Sequence, residues 1–253
     1  MSEAEDRYRA PALDKGLDIL ELLASTDEDL SQAEIAKTLQ RSPNEIYRML
    51  DRLVRRDYIR RTADDRYHLT LKLFELGVRH RPLKRLLAQA EPAMRRFAHA
   101  TAQACHLVVQ DRSLLTVVAQ FDSPDYWNVS IRVGARIRCL GTGSGHVMLA
   151  YARPEERALL LQASGEAGEP GPDFERELQA IREAGHAVVP SRQTVGVTNL
   201  TVPIVNPLGS VHAVLTCPFT PRLDSPEAPG QAEVLDQLRL AARAISDGEP
   251  RPA

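Results

Sequence analysis

Asn44, Arg48, Arg52 and Arg55 are spaced four, four and three residues apart, so on a helix they share one face. Amide and guanidinium groups in such a row match the base edges of a major groove, where Arg pairs with O6 and N7 of guanine and Asn with adenine. Tyr47 adjoins the row and can add an apolar or phosphate contact. From Arg41 to Arg61 seven arginines stand against three carboxylates, Glu45, Asp51 and Asp57, although the whole chain carries a formal net charge of -2. Positive charge is therefore concentrated where phosphates would need neutralising. A charged helix face alone is better explained by solvation. The surrounding elements decide between the two readings.

A second constellation is Gly141-Thr142-Gly143-Ser144-Gly145-His146. Consecutive small residues at a helix start expose backbone N–H groups and favour an anion, a carboxylate or carbonyl of a small ligand. Close backbone packing explains the same glycines. The segment lacks the lysine of a Walker loop, and no serine occupies the centre of a G-x-S-x-G elbow, so neither nucleotide hydrolysis nor esterase chemistry is expected. No convergent nucleophile and base are displayed, which argues against an enzyme. The seven histidines show no H-x-x-x-H spacing, and Cys105, Cys139 and Cys217 form no C-x-x-C pair. No metal site, disulfide framework or cofactor is expected, and the cysteines read as small buried apolar residues. Trp127, the only tryptophan, precedes a strand-like run as a pocket cover, a subunit contact or a plain structural aromatic.

The elements that must position the arginine row are well punctuated. Ser42 is an N-cap, Pro43 takes the first helical position and Glu45 closes a capping box. Ile46, Met49, Leu50, Leu53 and Val54 then make one apolar stripe, which turns the arginines outward. Ser31 and Glu34 open a shorter helix carrying Ile35, Ala36 and Leu39, and only Gln40 and Arg41 separate it from Ser42. Upstream, Leu13, Leu17, Ile19, Leu20, Leu22 and Leu23 predict a first amphipathic helix; downstream, Tyr58–Arg61 and Arg66–Leu69 alternate around Ala63-Asp64-Asp65 as a hairpin. Three helices and a wing form a winged helix-turn-helix, with the second close helix exposed for a groove of double-stranded DNA.

Beyond the wing, Leu71, Leu73, Phe74 and Leu76 predict a helix ending near Gly77. A helical pattern then runs from Leu83 to about Ala104, with Pro92 expected to kink or restart it. Strands are predicted over 106–110, 114–120, 128–133, 187–190, 200–205 and 211–217, with helices over 145–152, 154–162, 174–184 and 231–245 and a loop over 164–172. Such mixing with sequential hairpins predicts an α+β domain around a largely antiparallel sheet. The chain has 253 residues, enough for two modest domains, and 43% hydrophobic with 26% charged residues is ordinary for a globular protein. No apolar run approaches twenty residues and no signal-peptide pattern opens the sequence, so a cytoplasmic protein without a membrane partner is expected.

Ala12–Leu20, Gln32–Ala36, Ile46–Leu50 and the Arg66–Leu69 wing resemble the DNA-binding domain of IclR-type transcriptional regulators. Arg132–Arg136, Gly141–Gly145, the stretch from Gly196-Val197 to Val202-Pro203, and Ala241–Ile245 resemble that family's effector domain, in the same order. The resemblance spans residues 12 to 246. It implies a winged helix-turn-helix at 10–72, a helical connector at 73–104 that also packs against a partner subunit, and a GAF-like effector-binding and oligomerisation domain at 87–248. It further implies a homodimer or dimer of dimers on palindromic or pseudo-palindromic operator DNA, with binding modulated by a small-molecule effector.

Arg41, Ser42, Asn44, Glu45, Tyr47, Arg48, Arg52, Arg61 and Arg66 are the expected DNA contacts. Gly143, Ser144, Val189, Val197, Asn199, Thr201 and Thr216 are the expected effector contacts. Four positions depart from the family pattern: Asn199 stands where a cysteine is common, Val189-Pro190 replaces an acidic pair, Thr216-Cys217-Pro218 replaces a serine-rich strand, and His146 replaces a lysine or arginine. The first three changes point to a larger or less acidic effector, or to a degenerate pocket in a regulator controlled by protein partners, and nothing in the sequence explains His146.

Overall fold

The structure is a computed structural model, and it describes residues 10–163, 171–206, 209–225 and 227–247. It divides into two compact units between Lys84 and Arg85. Most of the loop expected over 164–172 lies outside the described residues.

The first unit runs α1 (Pro11–Ala24), β1 (Leu30–Ser31), α2 (Gln32–Thr38), α3 (Pro43–Arg55), β2 (Ile59–Arg61), β3 (Arg66–Leu69) and α4 (Lys72–Arg79). Both expected capping boxes form: Ser31 and Ser42 accept from the backbone N–H groups of Glu34 and Glu45, whose carboxylates bond back to the cap N–H groups. Gln40 turns the chain between α2 and α3 with a positive φ of 53°. The three strands make an antiparallel sheet in the order β1-β3-β2, so the predicted hairpin gains a third, two-residue strand. Ile19, Leu20, Leu23, Ile35, Ile46, Leu50, Ile59 and Tyr67 form one core. The first helix departs from the expected stripe, because Leu13 and Leu17 remain 61% and 47% exposed. Only the second half of α1 contributes buried side chains to this core.

The second unit contains most of α5 (Arg81–Thr101), then β4 (Cys105–Asp111), β5 (Leu114–Phe121), β6 (Arg136–Ile137), α6 (Gly143–Tyr151), α7 (Pro154–Ala163), α8 (Pro172–Ala184), β7 (Ala187–Pro190), β8 (Thr198–Val205), β9 (Val211–Phe219) and α9 (Gln231–Asp247). Pro92 does not restart α5, which is one run of 21 residues. Ala90, Ala93, Met94 and Phe97 on either side of the proline are buried, and that packing offsets the hydrogen bond Pro92 cannot make. Six antiparallel strands follow the order β6-β5-β4-β9-β8-β7. Strand alternation sends Cys105, Leu107, Leu215 and Cys217 into a core shared with α5 and α9, whereas Val108 and Val214 face the core of α6 and α8. His106 and Thr216 are direct cross-strand partners, between those cysteines and valines in the alternation.

The strand expected over 128–133 does not form. Instead, Ile131 N–H donates to the side-chain Oε1 of Gln120, and the Asn128 side chain bonds Asp122 and the Ser123 N–H. The edge partner of β5 is the short β6, which begins just after the tight turn at Gly134. Among the described residues no helix is long and apolar enough to cross a membrane.

Candidate nucleic-acid interface and effector pocket

The cap at Ser42 fixes where α3 starts and so which side chains leave its outer face. Asn44, Tyr47, Arg48 and Arg52 are exposed there, and among the described residues neither arginine has an ion-pair partner. The other expected DNA contacts hold the frame. Ser42 and Glu45 are engaged in the capping box, and Glu45 also receives Lys15 Nζ at 2.6 Å. Lys15 first, and then Ser42, depress the Glu45 carboxyl to a pKa of about 2. Arg66 donates to the Asp29 carbonyl at 2.7 Å and to Glu34 at 2.8 Å, tying the wing to the α2 cap. Arg61 pairs with Asp65 at the wing turn at 2.8 Å, and Arg41 stands 4.0 Å from Asp18. Arg55, part of the original row, is held by Asp51 at 3.0 Å. The four exposed residues without an ion pair or capping bond among the described residues are an amide, a phenol and two guanidinium groups.

In the second unit a cavity of about 440 Å³ opens on the α6 side of the sheet. Gly143, Ser144, Val197, Asn199 and Thr216 line it, as expected of effector contacts. Val189 and Thr201 do not: Val189 packs into the α6–α8 core, and Thr201 is fully buried behind the wall. Thr201 still acts on the wall, because its hydroxyl bonds Thr216 at 3.0 Å and Thr216 bonds Ser144 at 2.9 Å. Gly143 and Ser144 sit in the first turn of α6, whose leading N–H groups have no partner inside the helix. Thr142 caps that turn by accepting from Gly145 N–H.

Packing nevertheless explains two of the glycines. A Cβ on Gly145 would overlap the carbonyl of Cys139, and one on Gly143 would lie 2.7 Å from Thr201 Oγ1. His146 has a structural role that sequence alone did not suggest. Its Nε2 accepts from Gly141 N–H at 3.3 Å and its Nδ1 bonds Glu177 at 2.8 Å, while the ring meets Phe174 edge-on, so α8 braces the glycine loop.

Sequence reasoning missed His106, Arg136, Arg138 and the Val129–Ile131 segment, all of which line the cavity. His106 had a legible signal, a polar side chain at an inward position of an otherwise apolar strand. It is 2% exposed, its Nδ1 has no hydrogen-bond partner among the described residues, and burial lowers its pKa to about 4, so the ring is neutral at pH 7. Arg136 and Arg138 are exposed, and no acidic residue lines the cavity among the described residues.

Residues 12–63 match the IclR helix-turn-helix domain, and residues 83–247 match the family described as bacterial transcriptional regulator IclR C-terminal. The chain belongs to the IclR family. Its IclR relatives include the HTH-type transcriptional regulator KdgR of Escherichia coli, 27% identical over 235 residues, covering 87% of this chain and 86% of KdgR. The HTH-type transcriptional regulator BhcR of Paracoccus denitrificans is 26% identical and covers 97% of this chain and 89% of its own. A solved IclR homologue from Microbacterium hydrocarbonoxydans, complexed with 4-hydroxybenzoate, shares the fold with a TM-score of 0.77 at 23% identity, over 94% of this chain and 98% of that one. These IclR proteins are regulators rather than enzymes, and this chain is a transcriptional regulator of the same winged helix-turn-helix and α+β construction.

Proposed function

We propose that this regulator reads operator DNA through the outer face of α3, with Asn44, Tyr47, Arg48 and Arg52 in a major groove and the wing at Arg61 beside the backbone. The observation that carries this reading is the exposed α3 face, where Arg48 and Arg52 have no ion-pair partner among the described residues. Ser42, Glu45 and Arg66 set the angle and start of α3, and their own polar groups are already engaged within the domain. The protein acts beside its DNA in the cytoplasm as a homodimer or dimer of dimers, since a two-fold protein matches a two-fold operator.

The α6 cavity holds a small-molecule effector. A volume of about 440 Å³ with apolar walls and a few hydroxyl and amide groups suits such a ligand. The Microbacterium homologue complexed with 4-hydroxybenzoate supports a small organic molecule as the ligand. Residues 73–104, which hold α5 and all but the first residue of α4, serve as the connector. The effector changes operator affinity only as far as it binds one arrangement of the DNA-binding domains better than another.

Fluorescence anisotropy of the full chain, with its own upstream intergenic duplex and a scrambled one at two salt concentrations, tests this function. Preference for the native duplex that survives the higher salt is expected. Equal and salt-sensitive binding to both duplexes would remove the base-reading role from α3.

A further inference from the structure

Gly143 and Ser144 in the cavity wall follow a short loop, Gly141-Thr142, that His146 ties to α8. The two bonds of the His146 ring differ in kind. Gly141 N–H can only donate and the Glu177 carboxylate can only accept, so the ring that serves both is neutral, with its proton on Nδ1 and a bare Nε2 facing Gly141. A second proton can enter only at Nε2, where it would set one N–H against another. The loop bond and the charged ring therefore exclude each other, whereas the bond to Glu177 is strengthened when the ring is charged.

We propose that His146 is a proton-operated latch on the cavity wall: neutral, it holds Gly141 and the start of α6 in place, and protonated, it keeps Glu177 and releases the loop. Acidity then acts on the same wall as a ligand, a consequence that rests on the effector reading of the cavity. The bond to Gly141 is the longer of the two, 3.3 Å against 2.8 Å, and is the one that yields. The ring is buried, but Gly141 and Thr142 are partly exposed, so a small movement of the loop admits solvent to Nε2. Glu177 favours the charged ring. Against it stand burial, the start of α6, whose unpaired N–H groups disfavour a cation, and Arg192, whose side chain runs beside Gly141. Other charged groups on the surrounding elements are engaged elsewhere: on α8, Asp173 pairs with Arg176, Glu175 with Arg157, and Arg182 with the Ala150 carbonyl. Strands β7 and β8 carry no charged residue, and β9 carries the exposed His212 near its start. Before the loop, Arg138 lines the cavity, and burial pushes the Cys139 thiol up to about 11, so it stays uncharged.

Hydrogen exchange of the full-length protein, read by mass spectrometry at pH 7.5 and pH 5.5, tests the latch across the ordinary imidazole range. With the intrinsic pH dependence of exchange divided out, protection of the peptide spanning 139–147 is expected to fall about fivefold or more in acid, as follows from the loss of one backbone hydrogen bond. Peptides from β4 and β9 in the same samples report any general loosening. His146→Gln keeps an acceptor near Nε2 but cannot be charged, and should protect the loop equally at both pH values. His146→Lys is a cation without an acceptor, and should show the acid behaviour at both. Melting temperature shows that each variant is folded. Equal protection of the wild-type loop at the two pH values, a pH response that persists in folded His146→Gln, or a fully protected loop in His146→Lys would overturn the proposal. No ligand enters the measurement, so a failure of the effector reading would leave these outcomes unchanged.

Discussion

Single residues in both sites divide into those that hold the frame and those left to meet a ligand. Arg48 and Arg52 are of the second kind, and replacing either by Ala should weaken specific operator binding by about 1–3 kcal/mol in the anisotropy assay. Arg61→Ala, at the wing, should instead lower the salt dependence by about one phosphate contact. Unchanged affinity in both α3 variants would show that this face does not read bases. Gly145 is of the first kind. Its missing Cβ makes room for the backbone carbonyl of Cys139, which cannot rotate away, so Gly145→Ala should cost about 1–3 kcal/mol in urea denaturation. Gly143→Ala should cost less, because it meets the Thr201 side chain. His106 adds a pH dependence. Its folded pKa, about 4, lies below the ordinary 6.5, so the unfolded chain binds the proton first, and stability falls as pH drops from 6.5 towards 4. Denaturation curves of His106→Gln should lose that part of the acid sensitivity. The residue types were legible in the sequence, but their division was not, because Glu45, Arg55 and Arg66 look as available as Arg48 until Lys15, Asp51 and Asp29 are placed beside them.

Elements were most legible where local chemistry alone decides them. Ser42, Pro43 and Glu45 specify the start of α3 whatever lies around it, and Ser42→Ala should cost about 0.5–2 kcal/mol of thermal stability. The Glu45 carboxyl, depressed below its ordinary range, stabilises fully above that range and loses its contribution as pH falls towards 2. Where an element depends on a distant partner, pattern misled. Val129, Ile131 and Val133 alternate as a strand does, but Gln120 takes the Ile131 N–H and the segment becomes pocket wall. Pro92 reads as a breaker, yet α5 continues because its buried face is held on the sheet. The loop before the pocket wall is itself clamped. Arg222 pairs with Asp125 at 2.6 Å and with Asp224 at 2.8 Å, and Tyr126 donates to Asp224 at 2.7 Å. Arg222→Ala should therefore release the loop that carries Trp127, read as a red-shifted tryptophan emission with greater acrylamide quenching. An unchanged spectrum would show that the Asp122–Asn128 contacts suffice to hold it.

For the whole molecule, the apolar surface left uncovered is the informative quantity. Fold class and the order of the two units followed from periodicity, but no single-chain pattern shows which apolar side chains the chain itself will cover. Leu13 and Leu17 share the α1 stripe with Ile19 and Leu20, yet only the latter pair is buried. Helix α4 buries none of its residues, and Leu71 and Phe74 beside and within it are 74% and 67% exposed. An eight-residue helix has too few hydrogen bonds to persist on propensity alone, so a helix with no buried face needs cover from elsewhere. A second copy of the chain supplies it under the two-fold arrangement proposed for operator binding. Phe74→Glu would place a charge in that contact, and sedimentation velocity should show a shift from the wild-type oligomer towards monomer. Operator affinity should fall further than in any single base-contact variant, because a monomer engages one half-site and loses the gain from tethering the second. A variant that sediments like the wild type and binds the operator equally well would remove α4 from the interface, and a monomeric wild type at micromolar concentration would remove the two-fold reading itself.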